Sequence, residues 1–220
     1  MRMADLARTL AGPQSLEAVL KEVTAAAVEL IPGVDTAGIL LLGPGGKYES
    51  RAVTSELPHQ LDQLQSTLHQ GPCFQAAVGA DLMIRTDDFR TESRWPDYTA
   101  AVLKIGVLSG LSFKLYTSDR SAGALNLFGY QPTVWDEESE IVGSVLAAHA
   151  AAALIASRNS EELTSALATR DRIGQAKGII MERFGVDDSG AFDMLRRLSQ
   201  ESNTKLVDIA QRVIDTRRAD

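Results

Sequence analysis

The sequence predicts an α+β sheet domain followed by an all-α segment, a long helix that runs into a compact three-helix unit. Three observations carry this reading. Up to about residue 135, short apolar or alternating runs bounded by Gly and Pro interleave with segments of helical spacing. From Trp135 to Ile173, almost forty residues keep helical periodicity with no breaker. After Gly185, two shorter amphipathic segments follow in quick succession. At 220 residues and 45% apolar, the chain is long enough to bury a core without disulfide or metal staples.

The elements can be taken in order. "SLEAVLKEVTAAAVELI" (15–31) has helical spacing with Ser15 as its cap. "DTAGILLLG", the turn "GPGG" and "KYESRAVTS" read as a two-stranded hairpin. "ELPHQLDQLQSTLHQ" returns to helix through Leu57, Leu61, Leu64 and Leu68. "GPCFQAAVGAD" is a Gly-Pro turn and a short helix, "LMIRTD" an edge strand, and "WPDYTAAVLKIGV" another helix. "LSGLSFKLY" and "AGALNLFGY" alternate as two long antiparallel strands around "TSDRS". Five strands with helices around them make an α+β domain.

Asp136, Glu137 and Glu138 supply an acidic first turn for the long helix. Ile141, Val145, Ala148, Ala152, Ile155, Asn159, Leu163, Ala166 and Arg170 form a stripe at spacings of three and four. A stripe this long predicts a parallel coiled-coil homodimer. The competing reading packs the first half of the helix on the sheet and leaves the rest as linker. The last stretch of this helix offers Ile173, Ala176, Ile180 and Phe184 as a buried face. The next helix, capped by Asp187 or Asp188, offers Ala191, Leu195 and Leu198. The last, capped by Asn203 or Thr204, offers Leu206, Ile209, Ala210 and Val213.

No run approaches the roughly 18 unbroken apolar residues of a membrane span, and the N-terminus lacks a signal-peptide h-region. The single cysteine, Cys73, excludes an intrachain disulfide framework. A cytoplasmic location and no membrane partner are expected. The net charge of −7 lies wholly before Arg158, and the remainder balances 11 basic against 11 acidic residues. Only this C-terminal third has room for a basic face.

Enzymatic signatures are missing. His59, His69 and His149 have no partner at metal-type spacing, and no G-x-S-x-G, Walker or Rossmann fingerprint occurs. No catalytic residue, metal or cofactor is expected. Cys73, following Gly71-Pro72, is either a redox or ligand-contacting thiol at a helix start or a small buried hydrophobe. "RDRIGQAKGIIMERFG" is more informative. Gly174 and Gly178 each cost a helix roughly 1 kcal/mol relative to Ala, yet flank Lys177 on the margin of the apolar stripe. A bare helix surface beside a cation admits close approach of a backbone, either a helix or a nucleic-acid strand whose phosphate the lysine reaches. Ion pairing such as Asp193–Arg197 and Asp208–Arg212 is the bland account of the other basic residues.

Residues from about 163 to 217 closely resemble the ANTAR domain, a three-helix RNA-binding module of bacterial antitermination regulators. The matching stretches are "RDRIGQAKGIIMERFGV", "AFDMLRRLSQESNTKL" and "DIAQRVI". Residues 13 to 157 resemble the GAF-type sensor domain that precedes ANTAR in many actinobacterial regulators, through "LDQLQSTLHQGPCFQAAV", "DDFRTESRWPDY", "GVLSGLSFKLY" and "GALNLF". The division expected is a GAF-like domain at 1–157, a connecting helix at 136–170 overlapping it, and an ANTAR-like domain at 163–220. The resemblance implies a six-stranded antiparallel sheet, a coiled-coil connector and a three-helix bundle. It also implies a dimer that binds paired RNA hairpins with hexanucleotide loops, preventing a terminator from forming and so acting indirectly on transcribing RNA polymerase. Carried over by position, Ala176, Lys177 and Gly178 form the motif's core, with Arg172, Gln175, Arg197, Asn203 and Lys205 as RNA-facing companions. The GAF-like part would take an unidentified small-molecule signal, with Cys73 as a ligand-contacting residue, or serve as a dimerisation platform. Two other classes compete: a helix-turn-helix reader of duplex DNA with 204–217 as recognition helix, and a protein-interaction scaffold. Asp208 and Asp215 on the outer side of 204–217 argue against the first.

Overall fold

The structure, a computed structural model, describes residues 15–42, 48–78, 81–116, 122–132 and 135–219. The turn sequences "GPGG" and "TSDRS" lie outside the described residues. The chain divides into two compact units, residues 1–157 and 158–220.

In the first unit, helix α1 (Leu16–Leu30) starts where the Ser15 side chain accepts the Ala18 N–H. Strands β1 (Thr36–Leu42) and β2 (Tyr48–Arg51) form the expected antiparallel pair. Helices α2 (Glu56–Leu68), α3 (Pro72–Val78) and α4 (Pro96–Ile105) flank strand β3 (Met83–Thr86). Strands β4 (Ser109–Tyr116) and β5 (Ala122–Gly129) are the long antiparallel pair. The sheet order is β2-β1-β5-β4-β3, antiparallel throughout, with "LMIRTD" at an edge as predicted. Among the described residues the sheet has five strands, so the sixth implied by the family resemblance is not part of it.

The central strands are buried on both faces, and their side chains alternate between two cores. Ala37, Ile39, Leu111, Phe113, Leu115, Leu125 and Leu127 meet α1 on one face. Leu40, Ala124 and Phe128 point to the other, where α2, α3 and α4 pack through Leu61, Cys73, Ala76, Tyr98 and Val102.

The long helix α5 (Glu137–Phe184) begins where Asp136 accepts the Ser139 N–H, and its first turn is tied to edge strand β3 by Arg85–Glu140, 2.8 Å. Its first half lies on the sheet through Leu146, Ala147 and Ala150. The stripe read from the sequence is the opposite one: Ile141, Val145, Ala148, Ala152, Ile155, Asn159, Leu163, Ala166 and Arg170 are all exposed. The alanine-rich stretch is apolar all round, so periodicity alone finds more than one stripe of spacing three and four. By composition it also passes the test for a membrane span, with a mean hydropathy of 1.6 over its most apolar window, yet one side is seated on the sheet.

Gly143 fixes the helix phase. A Cβ at this position would lie inside van der Waals contact of the Phe113 ring, which projects from β4 and is itself buried. Gly143→Ala gains helix propensity but overpacks a filled site, so we expect a net loss of about 1–2 kcal/mol in urea denaturation followed by tryptophan fluorescence. Both tryptophans, Trp95 and Trp135, lie in this unit.

In the second unit the end of α5 packs with α6 (Asp188–Glu201) and α7 (Leu206–Ala219) around Ala176, Ile180, Ala191, Leu195, Ile209, Ala210 and Ile214. Phe184 and Leu198 are exposed rather than part of this core. Asp187 is the α6 cap, accepting the Gly190 N–H. Neither Asn203 nor Thr204 caps α7; the Lys205 carbonyl accepts the first N–H groups, from Asp208 and Ile209.

Candidate nucleic-acid interface

The eight residues carried over by resemblance do not form one patch. Ala176 is fully buried in the bundle, where its small side chain belongs to the three-helix core. Lys177 is only 21% exposed, forms an ion pair with Asp188 at the start of α6, and stands 6.0 Å from the Phe192 ring centroid. Gly178 and Gly174 are exposed, and nothing lies within 4 Å of where their Cβ atoms would stand. The described residues therefore supply no packing reason for either glycine, and the neighbouring helix considered above is not among them.

At about 100° per residue, Arg172 points to the side of α5 away from Lys177, while Gln175 lines a groove with Gly174, Lys177 and Phe192. Arg172 and Gln175 are both exposed, and Arg172 borders a shallow groove with Ser165 and Thr169. The arc of Lys177 instead carries Arg170, Gly174, Gly178, Met181 and Phe184, all exposed. Phe192 of α6 joins this arc and is a residue the basic-residue pattern missed. Its signal was the odd aromatic beside Ala191, outside the apolar stripe of its own helix.

On α6, Asp193 pairs with Arg196 at 3.0 Å, not with Arg197. No Asp208–Arg212 pair forms either. Arg170, Arg172, Arg197, Lys205 and Arg212 are without a carboxylate partner among the described residues, so the bundle surface holds cations its own acids do not neutralise. Asn203 has a local structural role. With φ 49° it occupies the left-handed position after α6, where its N–H donates to Gln200 O and that of Thr204 to Ser199 O. This is a Schellman motif, and Asn tolerates the conformation better than most residues.

The sheet unit contains a buried polar assembly on its α2 face. Asp62 of α2 accepts from Ser50 Oγ at 2.7 Å and Asn126 Nδ2 at 3.3 Å, while Ser112 Oγ donates to Asn126 Oδ1 at 2.8 Å. Burial pushes the Asp62 carboxyl up to about 7, although both hydrogen bonds favour the ionised form. Cys73 packs against Leu40 and Ala124 as a small hydrophobe, and its N–H donates to Gln65 Oε1 at 2.8 Å. Burial, reinforced by nearby Asp62, pushes its thiol up, which overrides any helix-terminus effect and disfavours thiolate chemistry. Tyr98 is raised by its own burial and by Asp62 and Cys73 beside it. Among the described residues no cluster of His, Cys, Asp and Glu could hold a metal ion.

Comparison with known proteins agrees with this division. The GAF domain family matches residues 13–155 and the ANTAR domain family residues 161–214. No curated protein matches the chain. Among solved structures, a domain of a two-component sensor histidine kinase protein from Sinorhizobium meliloti 1021 is similar with TM-score 0.54 and 15% identity, over 69% of this chain and 98% of that one. The chromophore-binding domain of an unusual bacteriophytochrome from R. palustris gives TM-score 0.59 and 12% identity, over 72% of this chain and 60% of that one. GAF3 of a Synechocystis sp. protein, in its photoproduct state, gives 0.54 and 12% over 68% and 99%. At such identities the likeness shows the sheet fold alone. With family matches that together span nearly its whole length, the chain belongs to the GAF–ANTAR regulators, in which a GAF sensor domain precedes an RNA-binding antitermination domain.

Proposed function

We propose that the C-terminal bundle binds hairpins in nascent transcripts and promotes antitermination in the cytoplasm, with the GAF unit receiving a signal or pairing two copies. One observation carries this reading: Gly174 and Gly178 leave the helix bare where no described residue needs the space, beside the cations Arg170 and Lys177. Arg172, Arg197 and Lys205 add phosphate-reaching charge around the bundle. The exposed stripe of Ile141, Val145, Ile155 and Leu163 supports a parallel homodimer along α5. A signal that changes how this helix packs would change whether two RNA-binding units are presented together. Effects on transcribing polymerase follow indirectly, through the RNA fold.

The test titrates the full chain with a hairpin RNA and, separately, with a DNA duplex. The hairpin is expected to bind preferentially. Lys177→Ala should weaken it several-fold and lower the salt dependence by about one phosphate contact. Gly178→Ala should raise helix stability by about 1 kcal/mol yet also weaken binding. A folded Lys177→Ala variant with parental affinity would favour a protein-interaction surface, and preference for the duplex would favour a DNA reader.

A further inference from the structure

Two exposed aromatic rings flank the arc of α5 that carries Lys177, Phe184 at the end of α5 and Phe192 from α6, and of these only Phe192 stands beside the lysine. Phe192 stands 38% exposed on α6, outside the bundle core, with the Lys177 ammonium over its ring at 6.0 Å. An open groove of about 1030 Å³ has Arg170, Ile173, Gly174, Lys177 and Phe192 among its lining residues. Glu161, Glu162 and Asp171 also line it. Those carboxylates repel a phosphate chain laid along the groove, whereas they accept hydrogen bonds from the amino groups of a neutral base. The ring supplies a face for such a base, and the cations of Arg170 and Lys177 stand where the flanking phosphates would be. RNA loops present unstacked bases to aromatic side chains in this way, with cations holding the backbone.

Building on the RNA-binding reading above, we infer that Phe192 is a stacking platform for one base splayed out of an RNA hairpin loop, held in the groove along α5 that Phe192 borders from α6. Lys177 is released from Asp188, which is itself 72% exposed, to meet the phosphate beside that base. Phe192 thus sets which loop nucleotide is held, while the other cations of the bundle contribute sequence-independent attraction.

The experiment uses the full chain and a hairpin with a hexanucleotide loop, each loop position replaced in turn by 2-aminopurine. Stacking on Phe192 predicts strong fluorescence quenching at one loop position and little at the others. Phe192→Leu should abolish that quenching and weaken binding about tenfold or more, while the slope of log affinity against log salt keeps its parental value. Phe192→Trp should preserve affinity. Circular dichroism of each variant checks that the bundle stays helical, as expected for so exposed a position. If the parent binds the hairpin but no loop position is quenched, or Phe192→Leu binds as the parent does, the stacking role is overturned and the RNA-binding reading stands. If the parent binds no hairpin, both fall.

Discussion

Replacing Asp62 by Asn is expected to stabilise the sheet unit by on the order of 3 kcal/mol at pH 8 and to leave it nearly unchanged at pH 4. In the unfolded chain Asp62 ionises near its ordinary 3.8, whereas burial holds it protonated in the folded protein up to about 7. Between these values folding takes up a proton, so stability falls as pH rises, by about 1.4 kcal/mol per pH unit. Above about 7 the folded carboxylate is ionised as well and the dependence levels off. Asn cannot ionise, yet its amide can still accept from Asn126 Nδ2 and donate to Ser50 Oγ, so the buried groups keep their partners. Glu92 works in the opposite sense: burial would raise it, but hydrogen bonds from Arg94 hold it low. The difference between parent and variant isolates Asp62. Urea denaturation followed by tryptophan fluorescence at several pH values reads it directly. Equal stabilities of parent and variant at pH 8 would show that the carboxylate is not held protonated.

Leu195→Ala is expected to unfold the C-terminal bundle while leaving the sheet unit intact. Leu195 is fully buried in a core of seven buried side chains among the described residues. Truncating such a leucine costs about 2–5 kcal/mol, and a bundle of this size holds only about 3–5 kcal/mol in all. The composition makes the outcome easy to read. Both tryptophans and all four tyrosines lie before residue 158, so aromatic signals report the sheet unit alone. The variant should lose far-ultraviolet helical signal, and with it the hairpin binding proposed above, while its tryptophan unfolding curve stays where it was. A parental helical signal would mean the bundle has stability beyond its own core.

Much of this architecture is legible in the residues. Alternation across "LSGLSFKLY" and "AGALNLFGY" located the two longest strands because each has a partner in register along its whole length. The long helix was legible too, but its phase was not. Between Ile141 and Ile155 nearly every residue is apolar, and only contact with the sheet decides which stripe is covered. Phe184 and Leu198 continue the right periodicity beyond the point where the bundle has anything to cover them. For the candidate interface, charge and glycine pattern led to Lys177, Gly174 and Gly178. They could not show that Ala176 faces inward, that Asn203 serves a helix terminus, or that Phe192 comes from another helix to join the lysine. Those facts depend on how three helices meet, which spacing along one helix does not contain.

The Gly143–Phe113 contact bears on the pairing along α5 proposed above. A helix greasy on every side has no inherent front or back, and it is a missing side chain, fitted over one aromatic ring, that indexes its rotation. The outward stripe is therefore chosen by a residue that touches no partner. In the dimer proposed above, crowding that hidden notch would turn the stripe aside, so a substitution in the interior of one unit would surface as a defect of the proposed pairing.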